Sequence, residues 1–234
     1  MRLSFIIPLY NNLPLTQAML ASLRATLPAG METEIILVDD GSTDGSREWL
    51  RTLPAPCRSV LNERNLGFAG ACNRGAAEAT GEFLFFLNND LVLLPGWFEP
   101  MLDLLRRSDA GLVGNVQLNH ASGAVDHAGI FFNAKGKPEH RTDRGFGRQR
   151  CVDAVTGACF GIRRDLWVQL GGFDEGYVNG CEDVDLGLRA AQAGRRNRVA
   201  LRSVVRHHVS ASHGRKLRDE QNTRRLFRRW AAVI

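Results

Sequence analysis

"FLFFLNNDLVLLPG", residues 83–96, opens on five strongly apolar residues and sets Asn88, Asn89 and Asp90 where that run stops. An apolar run without polar alternation is the pattern of a strand covered on both faces, as strands of parallel sheets are. Residues 83–87 therefore predict a buried strand of a parallel α/β sheet. Asn and Asp form turns readily, because their side chains bond nearby backbone. The same residues also suit a ligand site, since ligands of open α/β sheets bind outside the carboxyl ends of the strands.

Upstream, the pattern repeats. Residues 3–8 and 34–39 are short Ile-rich runs separated by a helical stretch over 15–27, and strand, helix, strand is the order of a parallel βαβ unit. A helix over 47–53, a strand over 59–62 and a small-residue helix in "GFAGACNRGAAEATG" (67–81) complete a doubly wound half over residues 1–95. Downstream, strands are expected at 111–118, 129–132 and 158–162, with the charged stretch "NAKGKPEHRTDRGFGRQR" (133–150) as a long loop. "EDVDLGLRAAQAG" (182–194) reads as a helix stopped by Gly194, and "RVALRSVV" (198–205) as a strand. Residues 96–212 thus form a second half of the same domain, and 213–234 a basic C-terminal helix.

Composition narrows the class. With 234 residues, 44% of them hydrophobic and 24% charged, the chain can bury a core as an ordinary soluble protein does. Its apolar runs are too short to span a bilayer and its N-terminus lacks the features of a signal peptide, so a cytoplasmic protein is expected. Five scattered cysteines without a CxxC pair argue against a disulfide framework or a zinc site. Neither GxGxxG after the first strand nor GxxxxGK[ST] is present, so hydride transfer and P-loop chemistry lack their main support. The net charge of +5 is uneven, with seven Lys and Arg against two acids from His213 to Trp230. Such a segment meets phosphates, an anionic membrane face or an acidic substrate, or is a solvated helix.

Three strand ends deliver polar residues to one edge: 8–12, 39–42 and 88–90. Asp40 can accept from a ring N–H and the Asn89 amide suits hydroxyls. Asp90 is placed for a hard divalent cation, Mg²⁺ typically taking one or two carboxylates and completing its shell with substrate phosphate oxygens and water. The acids at 39–44 can equally cap a helix. In "GCEDVDLGLR" (180–189), Glu182, Asp183 and Asp185 open a helix, where the macrodipole favours acids, while one carboxylate in a pocket could act as a general base. His207 and His208 are adjacent, with His213 nearby; adjacent strand residues point to opposite faces, so at most one joins Asp90 on a metal.

Taken in order and spacing, "SFIIPLYNN", "ILVDDGSTDGS", "NERNLGFAGACNRG", "FLFFLNND", "VTGACFGIRRDLW", "GGFDEGYVNGCEDVDLGLR" and "HHVSASHG" resemble the family 2 glycosyltransferases, nucleotide-sugar enzymes of the GT-A fold. The likeness runs over essentially the whole chain and is greatest to rhamnosyltransferase-like bacterial enzymes of O-antigen and polysaccharide synthesis. It implies an α/β GT-A fold, a Rossmann-like, mostly parallel central sheet flanked by helices with an acceptor-side α+β half. It further implies that Pro8, Tyr10, Asp40, Asn65 and Asn89 line the nucleotide pocket and that Asp90 holds Mg²⁺ or Mn²⁺, with His207 reaching the metal or diphosphate. Asp183 falls where inverting members place the base, Glu182 beside it, and Gly157 and Ala158 pass beneath the donor sugar, with Cys181 on the acceptor side. The implied donor is a UDP- or dTDP-sugar and the acceptor a glycan or lipid-linked hydroxyl, with the basic tail able to touch a membrane. Two departures stand out: the family's DxD is Asn-Asn-Asp, and the often aromatic residue before Glu-Asp is Cys181. Two other readings are a binding module without turnover and a nucleic-acid binder. The second lacks an aromatic platform, the chain having two Tyr and four Trp.

Overall fold

The structure, a computed structural model, describes residues 1–208 and 219–234. The first half runs β1 (Arg2–Leu9), α1 (Leu13–Thr26), β2 (Glu32–Asp39), α2 (Ser46–Leu50), β3 (Cys57–Leu61), α3 (Gly67–Glu78) and β4 (Phe83–Leu87). Then follow β5 (Leu91–Leu93), α4 (Phe98–Leu105), β6 (Ala110–Asn119), β7 (Val125–His127), β8 (Ile130–Phe132), β9 (Pro138–His140) and β10 (Gln149–Cys151). The chain continues with β11 (Cys159–Arg163), α5 (Arg164–Leu170), α6 (Glu182–Gln192), β12 (Arg196–His207) and α7 (Asp219–Trp230).

The main sheet has the order β10-β12-β6-β11-β4-β1-β2-β3. β1, β2, β3 and β4 are mutually parallel where they pair, β11 is antiparallel to both β4 and β6, and β6 is parallel to β12. From β1 the chain steps outward to β2 and β3, then returns to lay β4 on the other side. That reversal is a topological switch point, and it opens a crevice at the carboxyl ends of β1 and β4.

β4 is buried at every position. Its side chains alternate between two cores. Phe83, Phe85 and Leu87 join Met19, Leu20 and Leu23 of α1 and Phe98, Met101 and Leu105 of α4, whereas Leu84 and Phe86 join Cys72 of α3, Trp167 of α5 and Leu186 of α6. Two apolar layers leave no position for a polar residue until the strand ends, so Asn88 is where polarity returns. A third cluster joins Val184 and Leu188 of α6 to Leu226 and Trp230 of α7. Asp185 of α6 ties that layer: its buried carboxylate accepts from Arg189 Nε at 2.8 Å and from Trp230 Nε1 at 2.8 Å.

Several details depart from the sequence reading. The helix expected over 47–53 is only Ser46–Leu50. β5, α4 and α5 lie outside the expected elements, and the charged loop 133–150 contains β9 and the start of β10. β8 and β9 pair with each other outside the main sheet, attached by a bridge between Ile130 and Ala154. The expected tail helix is α7, residues 213–218 lying outside the described residues. Among the described residues no helix is long and apolar enough to cross a membrane.

Candidate active site

A cavity of about 570 Å³ opens at the carboxyl edge of β1, β2 and β4. Two loops are stitched together to form its upper wall. Asn11 and Asn12 adopt left-handed φ of 57° and 60°, which Asn tolerates better than most residues. The Asn11 N–H donates to Ser42 Oγ at 2.8 Å, and the Thr43 N–H donates to Asn11 Oδ1 at 2.8 Å. The Leu13 N–H donates to Asp44, whose carboxyl is held below its ordinary value by donors from Ser46 and Leu13 despite burial pushing it up.

Of the nucleotide residues expected from sequence, Pro8, Tyr10, Asp40, Asn65 and Asn89 all line the cavity. Two are already engaged within the protein. Asp40 Oδ1 accepts from Asn62 Nδ2 (2.9 Å) and the Leu66 N–H (2.8 Å), and its Oδ2 from the Gly67 N–H (2.9 Å). It therefore clamps the loop carrying Asn65, with one lone-pair site of Oδ2 left to a ligand. Asn89 Nδ2 donates to Thr16 Oγ1 at 2.9 Å, which anchors its amide to α1 at the edge of the cavity.

Asp90 and His207 meet at the cavity's inner end. β5 follows Asp90 directly and pairs antiparallel with β12, placing Leu91 opposite His207; the His208 N–H donates to the Asp90 carbonyl at 3.1 Å. His207 Nε2 stands 3.2 Å from Asp90 Oδ1. Neither buried Asp90 Oδ1 nor His207 Nδ1 has a hydrogen-bond partner within the protein. A buried polar atom without a hydrogen bond calls for an explanation, and a carboxylate with an imidazole nitrogen 3.2 Å away, on two residues that line the cavity, fits a divalent cation. Among the described residues no group of three His, Cys, Asp or Glu could hold a metal, so two protein ligands would leave the remaining positions to phosphate oxygens and water. His208 points elsewhere, stacking on His120 at 3.7 Å between ring centroids, and His213 lies outside the described residues.

The opposite wall carries the acids of α6. Asp183 Oδ2 accepts the Gly157 N–H at 2.8 Å, joining the helix start to the segment 156–158 that floors the cavity. A Cβ on Gly157 would lie 2.9 Å from Phe68 Cε1, so a larger residue there displaces the ring or the floor. Ala158 also lines the cavity, and its carbonyl accepts the Asn88 N–H at 2.8 Å. Glu182 lines the cavity as well, with its Oε2 accepting the Gly180 N–H at 2.6 Å. Asp185, grouped with these acids by sequence, is the buried anchor of α7. Cys181, between Gly180 and Glu182 of the cavity lining, takes a left-handed φ of 70° and packs against the third apolar cluster.

Phe68, Thr156 and Asn179 also line the cavity and were missed. Only Asn179 left a signal, its Asn-Gly pair marking a turn. His127 was missed entirely. It is buried behind the floor, where its Nε2 accepts from the Gly129 N–H (3.2 Å) and the Thr156 N–H (3.4 Å).

A switch-point cavity flanked by a carboxylate–imidazole pair and by a second carboxylate at a helix start, on a sheet of this order, defines the GT-A class of α/β proteins. The chain belongs to Glycosyl transferase family 2, which it matches over residues 4–170. It is 36% identical over 152 residues to the O-antigen biosynthesis protein RfbC of Myxococcus xanthus, covering 60% of this chain and 12% of that protein. It is 28% identical to the N-acetylglucosaminyl-diphospho-decaprenol L-rhamnosyltransferase of Mycobacterium tuberculosis, covering 88% of this chain and 76% of that one. An uncharacterized protein of Sinorhizobium fredii is 29% identical over 97% of this chain, which spans 26% of its length. Among solved structures the fold is similar to GalNAc-T7 with UDP, GalNAc and Mn²⁺ (TM-score 0.76, 18% identity, 88% of this chain and 44% of that one). It is also similar to a mannosyltransferase from Pyrobaculum calidifontis with GDP-Man and Mn²⁺ (TM-score 0.72, 21% identity, 99% and 63%).

Proposed function

We propose that this chain moves a sugar from a nucleoside-diphosphate sugar to a hydroxyl of a growing glycan or lipid-linked acceptor, with inversion at the anomeric carbon. The observation that carries the reading is the buried Asp90 Oδ1, without a hydrogen bond and 3.2 Å from His207 Nε2, on one wall of the cavity, with Asp183 on another. Relatives and structural neighbours named for glycosyl transfer, two of them solved with nucleotide and Mn²⁺, support it.

In this reading the nucleoside lies against Pro8, Tyr10 and Asn65, with Asp40 holding the Asn65 loop and offering its remaining lone pair to the base. Asp90 and His207 would hold Mg²⁺ or Mn²⁺, and the ion would supply Lewis-acid stabilisation of charge on the departing diphosphate. Gly157 and Ala158 pass under the donor sugar. Asp183, oriented by the Gly157 N–H on Oδ2, takes the acceptor's hydroxyl proton as the oxygen attacks, and Glu182 fixes the loop before it. A UDP- or dTDP-sugar is the proposed donor. A lipid-linked acceptor would put the protein at a membrane face, where its basic C-terminal segment belongs.

Replacing Asp183 with Asn should leave nucleotide-sugar binding intact and lower turnover by about 10² or more, the usual contribution of a general base. Near-normal turnover would remove Asp183 from that role. Donor hydrolysis by this chain alone separates a working transferase domain from a binding module.

A further inference from the structure

A second hollow, of about 670 Å³, lies between α7 and the loop at Asp174–Gly176. Arg224, Arg225, Arg228 and Arg229 line it, against the carboxylates of Asp174 and Glu220. We propose that this hollow binds a phosphate group carried by the acceptor, which makes the acceptor an anionic one. The inference rests on the transferase reading above and names its acceptor class.

Two of the arginines are held in advance. Asp174 accepts from Arg225 Nη2 at 3.0 and 2.9 Å and from Arg229 Nη1 at 3.1 Å, and Arg225 lies over the Tyr177 ring at 5.2 Å. Gly176 makes room for this, since a Cβ there would stand 2.4 Å from Arg225 Nη2. Guanidiniums already fixed lose little rotamer freedom when an anion arrives. The other two are available. Arg224 pairs with Glu220, but these side chains are 70% and 79% exposed, and such pairs are weak. Arg228 has no ion-pair partner among the described residues. Four guanidiniums against Asp174 and Glu220, with Arg229 also 3.2 Å from Asp185, leave the hollow positive, and their planar forks match phosphate oxygens.

The position relates the hollow to the reaction. Val178 and Asn222 of α7 exchange two hydrogen bonds, of 3.1 and 2.9 Å, and the next two residues, Asn179 and Gly180, line the donor cavity. One loop therefore has the arginine hollow at its start and the Asp183 side of the donor cavity at its end. The Asp174–Gly176 loop closes one side of the hollow and fixes Arg225 and Arg229 against it, which suits a discrete phosphate group.

The test uses the full chain and the double variant Arg224→Gln/Arg228→Gln, which alters exposed side chains remote from the donor residues. Inorganic pyrophosphate is titrated without divalent cation, alongside vesicles of phosphatidylcholine with and without phosphatidylglycerol. The expected result is pyrophosphate binding that weakens with salt and falls by about tenfold or more in the variant, with donor hydrolysis in Mn²⁺ unchanged. Equal pyrophosphate binding by both proteins would overturn the proposal, as would binding to anionic vesicles without any to pyrophosphate. Failure of the parent protein to hydrolyse any donor, with pyrophosphate binding intact, would instead count against the transferase reading and leave the anion site standing.

Discussion

Gly157→Ala tests how tightly the cavity floor is built. The added Cβ would stand 2.9 Å from Phe68 Cε1, 3.1 Å from Cζ and 3.6 Å from Asp183 Cβ. Carbon atoms pack best at about 3.5–4.0 Å, so ring or floor must yield by roughly 0.6–1 Å. Overpacking of this kind costs about 1–3 kcal/mol, or about 2–12 °C in Tm for a chain of this size. Turnover should suffer more than stability. The Gly157 N–H that orients Asp183 moves with the floor, and a displacement near 1 Å costs about 10²-fold in rate. Nucleotide binding, seated on the other side of the cavity, should change little. Phe68→Leu removes the edge of the ring that the new methyl strikes, so the double variant should recover part of both losses, a coupling of about 0.5–3 kcal/mol. Thermal unfolding and diphosphate release measure the two effects. A Gly157→Ala protein with unaltered Tm and turnover, or losses that simply add in the double variant, would refute the reasoning.

Asp90→Ala should weaken nucleoside-diphosphate binding in Mn²⁺ and leave it unmoved in EDTA; calorimetry that finds the same loss in both would deny Asp90 a metal role. Asp185→Asn neutralises the buried acceptor between Arg189, Arg229 and Trp230 and should cost about 3–5 kcal/mol in denaturant unfolding, as breaking a buried ion pair does. His127 is held well below its ordinary value by burial and by the neighbouring charges of His140 and His207. Its folded form therefore resists protonation, and stability should fall as pH drops below about 6.5, by up to about 1.4 kcal/mol per pH unit. Replacing His127 with Gln should flatten that part of the stability–pH curve.

Where local sequence decides structure, the reading was good. The apolar run 83–87 is buried on both faces, and the polar residues at the ends of β1, β2 and β4 do converge on one cavity. What sequence could not display was pairing between distant segments. The meeting of Asp90 and His207, expected from the family resemblance and not from any strand pattern, comes about because three residues of β5 align with the end of β12, too few to show a strand pattern. The acids of α6 look alike in sequence, yet Glu182 and Asp183 line the cavity and Asp185 is buried against Trp230, a division set by helical phase and by α7. The packing of Cys181 against the apolar cluster follows from a left-handed backbone, a conformation uncommon for residues other than glycine and not announced by its neighbours in sequence. The charged stretch 133–150 hid two short strands because their residues are polar on an edge.

The β8–β9 hairpin has a consequence for engineering. Within the main sheet, adding or removing one residue would turn every following side chain to the wrong face. The hairpin stands outside that ladder, attached through the Ile130–Ala154 bridge just before the cavity floor begins at Thr156. Segments of different length can thus be grafted between Phe132 and Pro138 without re-registering the strands that carry Asp90, His207 or Gly157, which makes this hairpin a place to retune the protein while its chemistry stays fixed.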